Sequence, residues 1–312
     1  MPGSEREYLS AAVFFLFRGT GGGVGSEWLA WSALTASRPS ERRLLPLFWI
    51  ACAAVPALMM QPAFVTEVGR RENNEDAVFV SPRLAAVADG VGGAIAGEVA
   101  SRLAILKMIS LDKRRLAYPL QQEFSAAVTD ANAVIEFVIS CDPQLTGMGT
   151  TLTAVALSNE GDYLVANVGD SRTYLYRDDR LRRLTRDQTL VQILIDRGLL
   201  TEADARRHPQ RSVVLEALDG VERSLPALQR VQARHGDRLL LCSDGVTDYV
   251  SEPEVQEALV IQDAGMVVRR IARLALDHGG RDNITAVVAD VVERTNPRDG
   301  WLDYLPGAGA PR

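Results

Sequence analysis

The stretch VGRRENNEDAVFV (residues 68–80) sets Arg70, Arg71, Glu75 and Asp76 against the start of an apolar run. Four more acids stand where hydrophobic runs begin or end: Asp89 in VADGVGG, Asp170 in NVGDSR, Asp244 in LCSDGVTD and Asp282 in GGRDNIT. Strand ends lie on the rim of a sheet, where a rigid scaffold can point several side chains at one place. Carboxylates gathered there cannot all ionise unless cations neutralise them. The three histidines (His208, His235, His278) and three cysteines (Cys52, Cys141, Cys242) show no HxH, HExxH or CxxC spacing, so any metal site must be built from oxygen. Oxygen ligands select Mg²⁺ or Mn²⁺ over Zn²⁺. Two such ions would make a shared water nucleophilic towards phosphorus, and a neighbouring guanidinium would grip phosphate oxygens bidentately.

Any one Asp-Gly pair is first of all a turn signal. Here DGVGGAIAGEVAS and SDGVTDYVSEPEVQEAL each run from a strand into a helical pattern, so neither is a two-residue hairpin. Gly90 has a chemical use as well: with no Cβ, its carbonyl can face an ion beside the Asp89 carboxylate.

The elements that must position these acids are short and regular. Runs at 77–80, 84–88, 151–157, 162–168, 172–177, 237–243 and 283–292 read as strands, several joined by loops short enough for antiparallel pairing. Residues 96–110 read as a helix with Val99, Leu103, Leu106 and Ile109 or Ser110 near one face, and 120–140 as one with Phe124, Val128, Ala131 and Ile135 near one face. A second helix pair is expected near 254–260 and 266–277. Helices inserted in pairs among antiparallel strands imply an α+β layered sandwich rather than a βαβ repeat. Between them, 186–219 reads as an excursion with two short helices, Gly198 ending the first and Thr201 capping the second.

A net charge of −6 argues against a nucleic-acid-binding face. Scattered cysteines fit reduced thiols and a cytoplasmic protein. Residues 1–61 are unlike the rest, and we expect them to lie outside the folded core. Their apolar stretch 44–60 is short for a membrane span and broken by Pro46 and Pro56, so a membrane anchor is the less favoured reading; an over-extended reading frame starting before Met59 or Met60 is another. The expected domain is 62–293, followed by a Pro- and Gly-rich disordered tail at 294–312.

GRRENNED, VADGVGGAIAGEVAS, GMGTTLTAV, VGDSRTYLYR, GDRLLLCSDGVTDYV and GGRDNITAVV, in that order, resemble the bacterial metal-dependent Ser/Thr protein phosphatases, the PPM or type 2C class. The likeness covers roughly 64–292. It implies an αββα sandwich, two antiparallel sheets flanked by helix pairs, with the metals in a cleft at one end. It implies that Asp89 bridges two Mn²⁺ or Mg²⁺ ions, that Gly90 contributes its carbonyl, and that Asp244 and Asp282 complete one ion's ligands. Asp170 matches the ligand of a third, weaker ion. Asp76, with Glu75 beside it, matches the acids that hold metal-bound water. Arg71 matches the phosphate-gripping arginine, which leaves Arg70 a solvated charge, and Asn283 would orient Asp282 from behind. The implied reaction is hydrolysis of phosphoserine and phosphothreonine by a metal-bridging hydroxide, on partners such as a Ser/Thr kinase and its targets. The 186–219 excursion resembles the flap over the family's metal cleft.

Two positions depart from the pattern: Ala94 stands where bacterial members commonly carry a histidine, and Glu216 where arginine is common. Other readings are a phosphatase dedicated to one regulator of the anti-sigma-antagonist type, and a silent phosphoprotein-binding member. The full acid set weighs against the silent form.

Overall fold

The computed structural model describes residues 58–91, 96–113, 120–221 and 226–294. Two antiparallel sheets face each other. The first orders its strands β1 (Leu58–Glu67), β11 (Ile284–Glu293), β10 (Arg238–Cys242), β7 (Arg172–Arg177) and β8 (Arg180–Arg183). The second orders β2 (Asp76–Val80), β3 (Leu84–Val91), β5 (Leu152–Leu157), β6 (Asp162–Val168) and β9 (Ala227–Gln232), with the two-residue β4 (Gly149–Thr150) beside β3.

Three apolar layers hold the sandwich. Met60, Val87, Val155, Tyr163, Leu239, Leu241 and Val287 fill the space between the sheets. Helices α1 (Gly97–Lys113) and α2 (Leu120–Cys141) cover the second sheet. Helices α5 (Asp244–Thr247), α6 (Glu252–Leu259) and α7 (Ala264–Asp277) pack against the first. All seven expected strand runs and both helix pairs are present, in the αββα arrangement. In α2 the anticipated residues Phe124, Val128, Ala131 and Ile135 are fully buried. That helix is long and apolar enough to cross a membrane by composition alone, and its apolar stripe lies in the core.

Two expectations need correction. The domain does not begin at 62. Leu58–Gln61 belong to β1, which pairs along its whole length with β11, and Met60 is completely buried. Pro62 hid this strand, because proline removes a ladder donor. β1 is an edge strand, where that loss is tolerated. The rest of the 1–61 segment and the tail from 295 lie outside the described residues. In α1 the buried face is Ala100, Ala104, Ile105, Met108 and Leu111, while Leu106 is about half exposed. Two alanines let the helix axis approach the sheet closely, while Leu103 and Leu106 are turned to its flank.

Candidate active site

The sheet register sets the first part of the site. Asp76 and Asp89 are direct cross-strand partners on β2 and β3. Asp244 opens α5 directly after β10, and Asp282 stands just ahead of β11, the neighbouring strand. Backbone contacts draw these ends together. A Cβ on Gly245 would lie 1.9 Å from the Asn283 carbonyl oxygen, and one on Gly69 would lie 2.0 Å from that of Asp282. No other residue type fits at either crossing.

The Asp89 carboxyl is central and half-buried, within hydrogen-bonding reach of Asp76 on one side and Asp244 on the other. Burial, then the charges of Asp76, Asp244 and Asp170, pushes Asp89 well above the usual carboxylate range. Burial likewise raises Asp244, helped by Asp170, Asp248 and Asp282. Asp76 is pushed up to about 6, chiefly by burial and against hydrogen bonds from Thr285 and Ser243. Asp76 Oδ1 is buried with no hydrogen-bond partner. An orphaned carboxylate oxygen beside two crowded acids is what a cation, or water held by one, would satisfy.

Gly90 lies tight against the start of α1. A Cβ there would fall 2.4 Å from the carbonyl carbon of Gly97, the first residue of α1. In turn a Cβ on Gly97 would meet the Gly90 carbonyl oxygen at 3.1 Å and Glu75 Oε2 at 3.0 Å. Glu75 therefore lies against the start of α1, raised by burial and by nearby acids while Arg71 pulls it down.

Asp282 is held differently. Its Oδ2 accepts from Arg71 Nη2 at 2.8 Å and its Oδ1 from the Asn283 backbone N–H at 2.9 Å. Both oxygens are engaged, and no three His, Cys, Asp or Glu side chains form a ready metal cage among the described residues. Ligation by Asp282 would bring a metal into competition with Arg71 for its carboxylate. Asn283 acts on Asp282 through its backbone; its side chain instead fixes the arginine loop. Its Nδ2 donates to the carbonyls of Val68 (3.0 Å) and Asn73 (2.9 Å), and its Oδ1 accepts from the Glu75 N–H (2.9 Å).

Asp170 is nearly buried at the β6–β7 connection and raised to about 6 by burial and by Asp187. It lines a cavity of about 410 Å³ with Asp244, Asp248 and the flap residues Val191, Arg206 and Arg211. Asp187 is taken by Arg172 in a bidentate pair, with Nη2–Oδ2 at 2.6 Å. The flap carries α3 (Leu190–Asp196) and α4 (Glu202–Ala205), with Gly198 at φ +68° after the first and Thr201 capping the second. Sequence reading passed over Asp248, although its i+4 spacing from Asp244 places both on one face of a helical turn. It also passed over Ser243, for which no spacing gives a signal.

Residues 68–273 match the family model described as protein phosphatase 2C. The chain belongs to that family. The serine/threonine protein phosphatase PstP of Mycobacterium tuberculosis is 47% identical over 223 residues, 72% of this chain, which spans only 43% of that relative. The serine/threonine phosphatase stp of Listeria innocua is 36% identical over 247 residues, 74% of this chain and 96% of its own length. The crystal structure of M. tuberculosis PstP/Ppp superposes with a TM-score of 0.72 at 44% identity, covering 76% of this chain and all of that one. The PstP catalytic domain in complex with two manganese ions gives a TM-score of 0.71 at 43% identity, with the same coverage. Of the two departures from the family pattern, Ala94 lies outside the described residues. Glu216 is exposed at the root of the flap, and its carbonyl oxygen lies 3.4 Å from where a Gly169 Cβ would stand.

Proposed function

We propose that this chain is a metal-dependent protein phosphatase that hydrolyses phosphoserine and phosphothreonine in proteins. The observation that carries the reading is Asp89, set between Asp76 and Asp244 with Arg71 on the adjacent loop. Asp89, the Gly90 carbonyl, Asp244 and Asp282 would hold two Mn²⁺ or Mg²⁺ ions, and Asp170 with Asp248 offers room for a third. When bound, such ions supply the Lewis acidity that makes water a nucleophile near neutral pH.

The chain's own residues supply the rest. Arg71, released from Asp282, binds the substrate phosphate through two guanidinium N–H groups and balances charge gathering on its oxygens. Asp76 Oδ1, with no protein donor, accepts a proton from the attacking water and fixes its direction. Glu75 adds negative charge at the cleft wall beside the start of α1. The flap cavity adjoining Asp170 would take the residues next to the phosphorylated side chain. Substrate proteins and the kinase that phosphorylates them belong to this reading, as does a cytoplasmic setting, which the free thiols of Cys141 and Cys242 fit.

Phosphate release from a phosphothreonine peptide, with Mn²⁺ and then with chelator, tests the proposal. Activity that survives chelation, or that persists in Asp89→Ala, would overturn it.

A further inference from the structure

Ser243 occupies the N-cap position of α5, where a serine ordinarily bonds the helix's own N–H groups. It makes no such bond. Its side chain is fully buried and reaches across the sandwich to the other sheet, donating from Oγ to Asp76 Oδ2 at 2.9 Å. The Thr285 N–H donates to the same Oγ at 3.1 Å, and the Ser243 N–H donates to the Thr285 carbonyl at 3.1 Å. With a donor already seated on the oxygen, the single hydroxyl proton is directed to Asp76. The Thr285 hydroxyl, also fully buried, donates its own proton to Thr66 Oγ1 at 2.9 Å, which fixes the Thr285 backbone against Ser243.

Asp76 Oδ1 remains without a partner, so the Ser243 hydroxyl acts on Oδ2 alone. We propose that Ser243 is a positioning residue: its hydroxyl, itself held by the Thr285 N–H, grips one oxygen of Asp76 and turns the other towards the attacking water. The inference rests on the phosphatase reading only for its kinetic consequence. The geometry explains why serine is present at a cap position it does not cap. It also explains why the charge-bearing end of the sheet interface is lined with neutral donors. A cation there would compete with Arg71 and the metals for the carboxylates, whereas a hydroxyl holds Asp76 without cancelling its charge.

The test uses the full chain with Ser243→Ala and the conservative Ser243→Thr. Loss of a hydrogen bond to a charged group predicts a kcat lower by about tenfold or more in Ser243→Ala. KM for a phosphothreonine peptide and calorimetric Mn²⁺ affinity should stay within about twofold, since the variant touches no phosphate or metal contact. Ser243→Thr should recover most of the loss. In metal-free protein the ¹³C carboxyl resonance of Asp76 should move in Ser243→Ala and stay in place in Ser243→Thr. An unmoved resonance in Ser243→Ala would refute the proposal whatever the activity. Equal losses in Ser243→Ala and Ser243→Thr, or a kcat loss tracking weakened Mn²⁺ binding, would also refute it. An inactive wild-type enzyme with the resonance pattern intact would instead refute the phosphatase reading alone.

Discussion

Arg71→Ala separates the Asp282 pair seen in the structure from the phosphate-binding role proposed for the same side chain. Arg71 pairs with Asp282 at 2.8 Å, and the two side chains are 54% and 35% exposed. A pair so open to solvent contributes about 0–1 kcal/mol, so releasing Asp282 to a metal costs at most about fivefold in affinity. Removing Arg71 should therefore tighten Mn²⁺ binding by up to about fivefold. The bidentate contact with substrate phosphate is larger: charged hydrogen bonds of about 1.5–3 kcal/mol imply a rise in KM of roughly 10- to 150-fold. Arg71→Lys keeps the charge but loses the fork, and should fall between. Calorimetric Mn²⁺ titration beside steady-state kinetics on a phosphothreonine peptide gives both numbers. Weaker Mn²⁺ binding in Arg71→Ala, or an unchanged KM, would show that Arg71 serves the loop and not the substrate.

Asp89→Asn should abolish turnover and lower calorimetric Mn²⁺ stoichiometry, because the central carboxylate is shared by the whole acid group. Gly97→Ala should press on the Gly90 carbonyl and Glu75; a clash costing about 1–3 kcal/mol predicts Mn²⁺ affinity lower by roughly 5- to 150-fold, measured by the same titration. Asp112 is almost wholly buried at the end of α1, away from the acid group, and burial pushes it up to about 6. Its unfolded carboxyl loses its proton near pH 4 and its folded one near pH 6, so stability falls across that window as pH rises. Asp112→Asn should then raise stability at pH 7.5 by about 2–3 kcal/mol and change it little near pH 4, read from urea unfolding at both pH values. Replacing Met60 by alanine should cost about 2–5 kcal/mol in the same assay, since its side chain is fully buried between the sheets. No loss would place β1 outside the cooperative unit.

What the sequence made legible was whatever repeated or stood at a strand end. Alternating and continuous apolar runs announced seven strands, and Asp89 and Asp244 stood out because each follows such a run. β1 escaped because Pro62 and Gln61 break its pattern, and only pairing with β11 makes it a strand. β8 and β9 escaped for a related reason: as short edge or outer strands rich in arginine and glutamine, they carry too little apolar signal. The turn of α1 was misread because size, not spacing, was weighed, and its alanines bury more completely than its leucines. Within the site, the Arg71–Asp282 pair joins residues 211 positions apart. Ser243 reaches Asp76 across 167 positions. Contacts at that range depend on how the two sheets stack, which no local pattern encodes.

The flap is fastened at both of its roots. The Gln188 N–H donates to the Gly169 carbonyl, its carbonyl accepts from the Leu215 N–H, and its side-chain oxygen accepts from the Gly169 N–H. At the other root Leu218 is fully buried and exchanges backbone bonds with Thr150, whose hydroxyl donates to the Asp89 carbonyl. Between those two moorings the Arg211–Asp248 pair at 3.7 Å reaches the acids beneath, and length and composition elsewhere in the excursion can drift without moving them. A lineage can therefore vary this excursion while inheriting the scaffold below it.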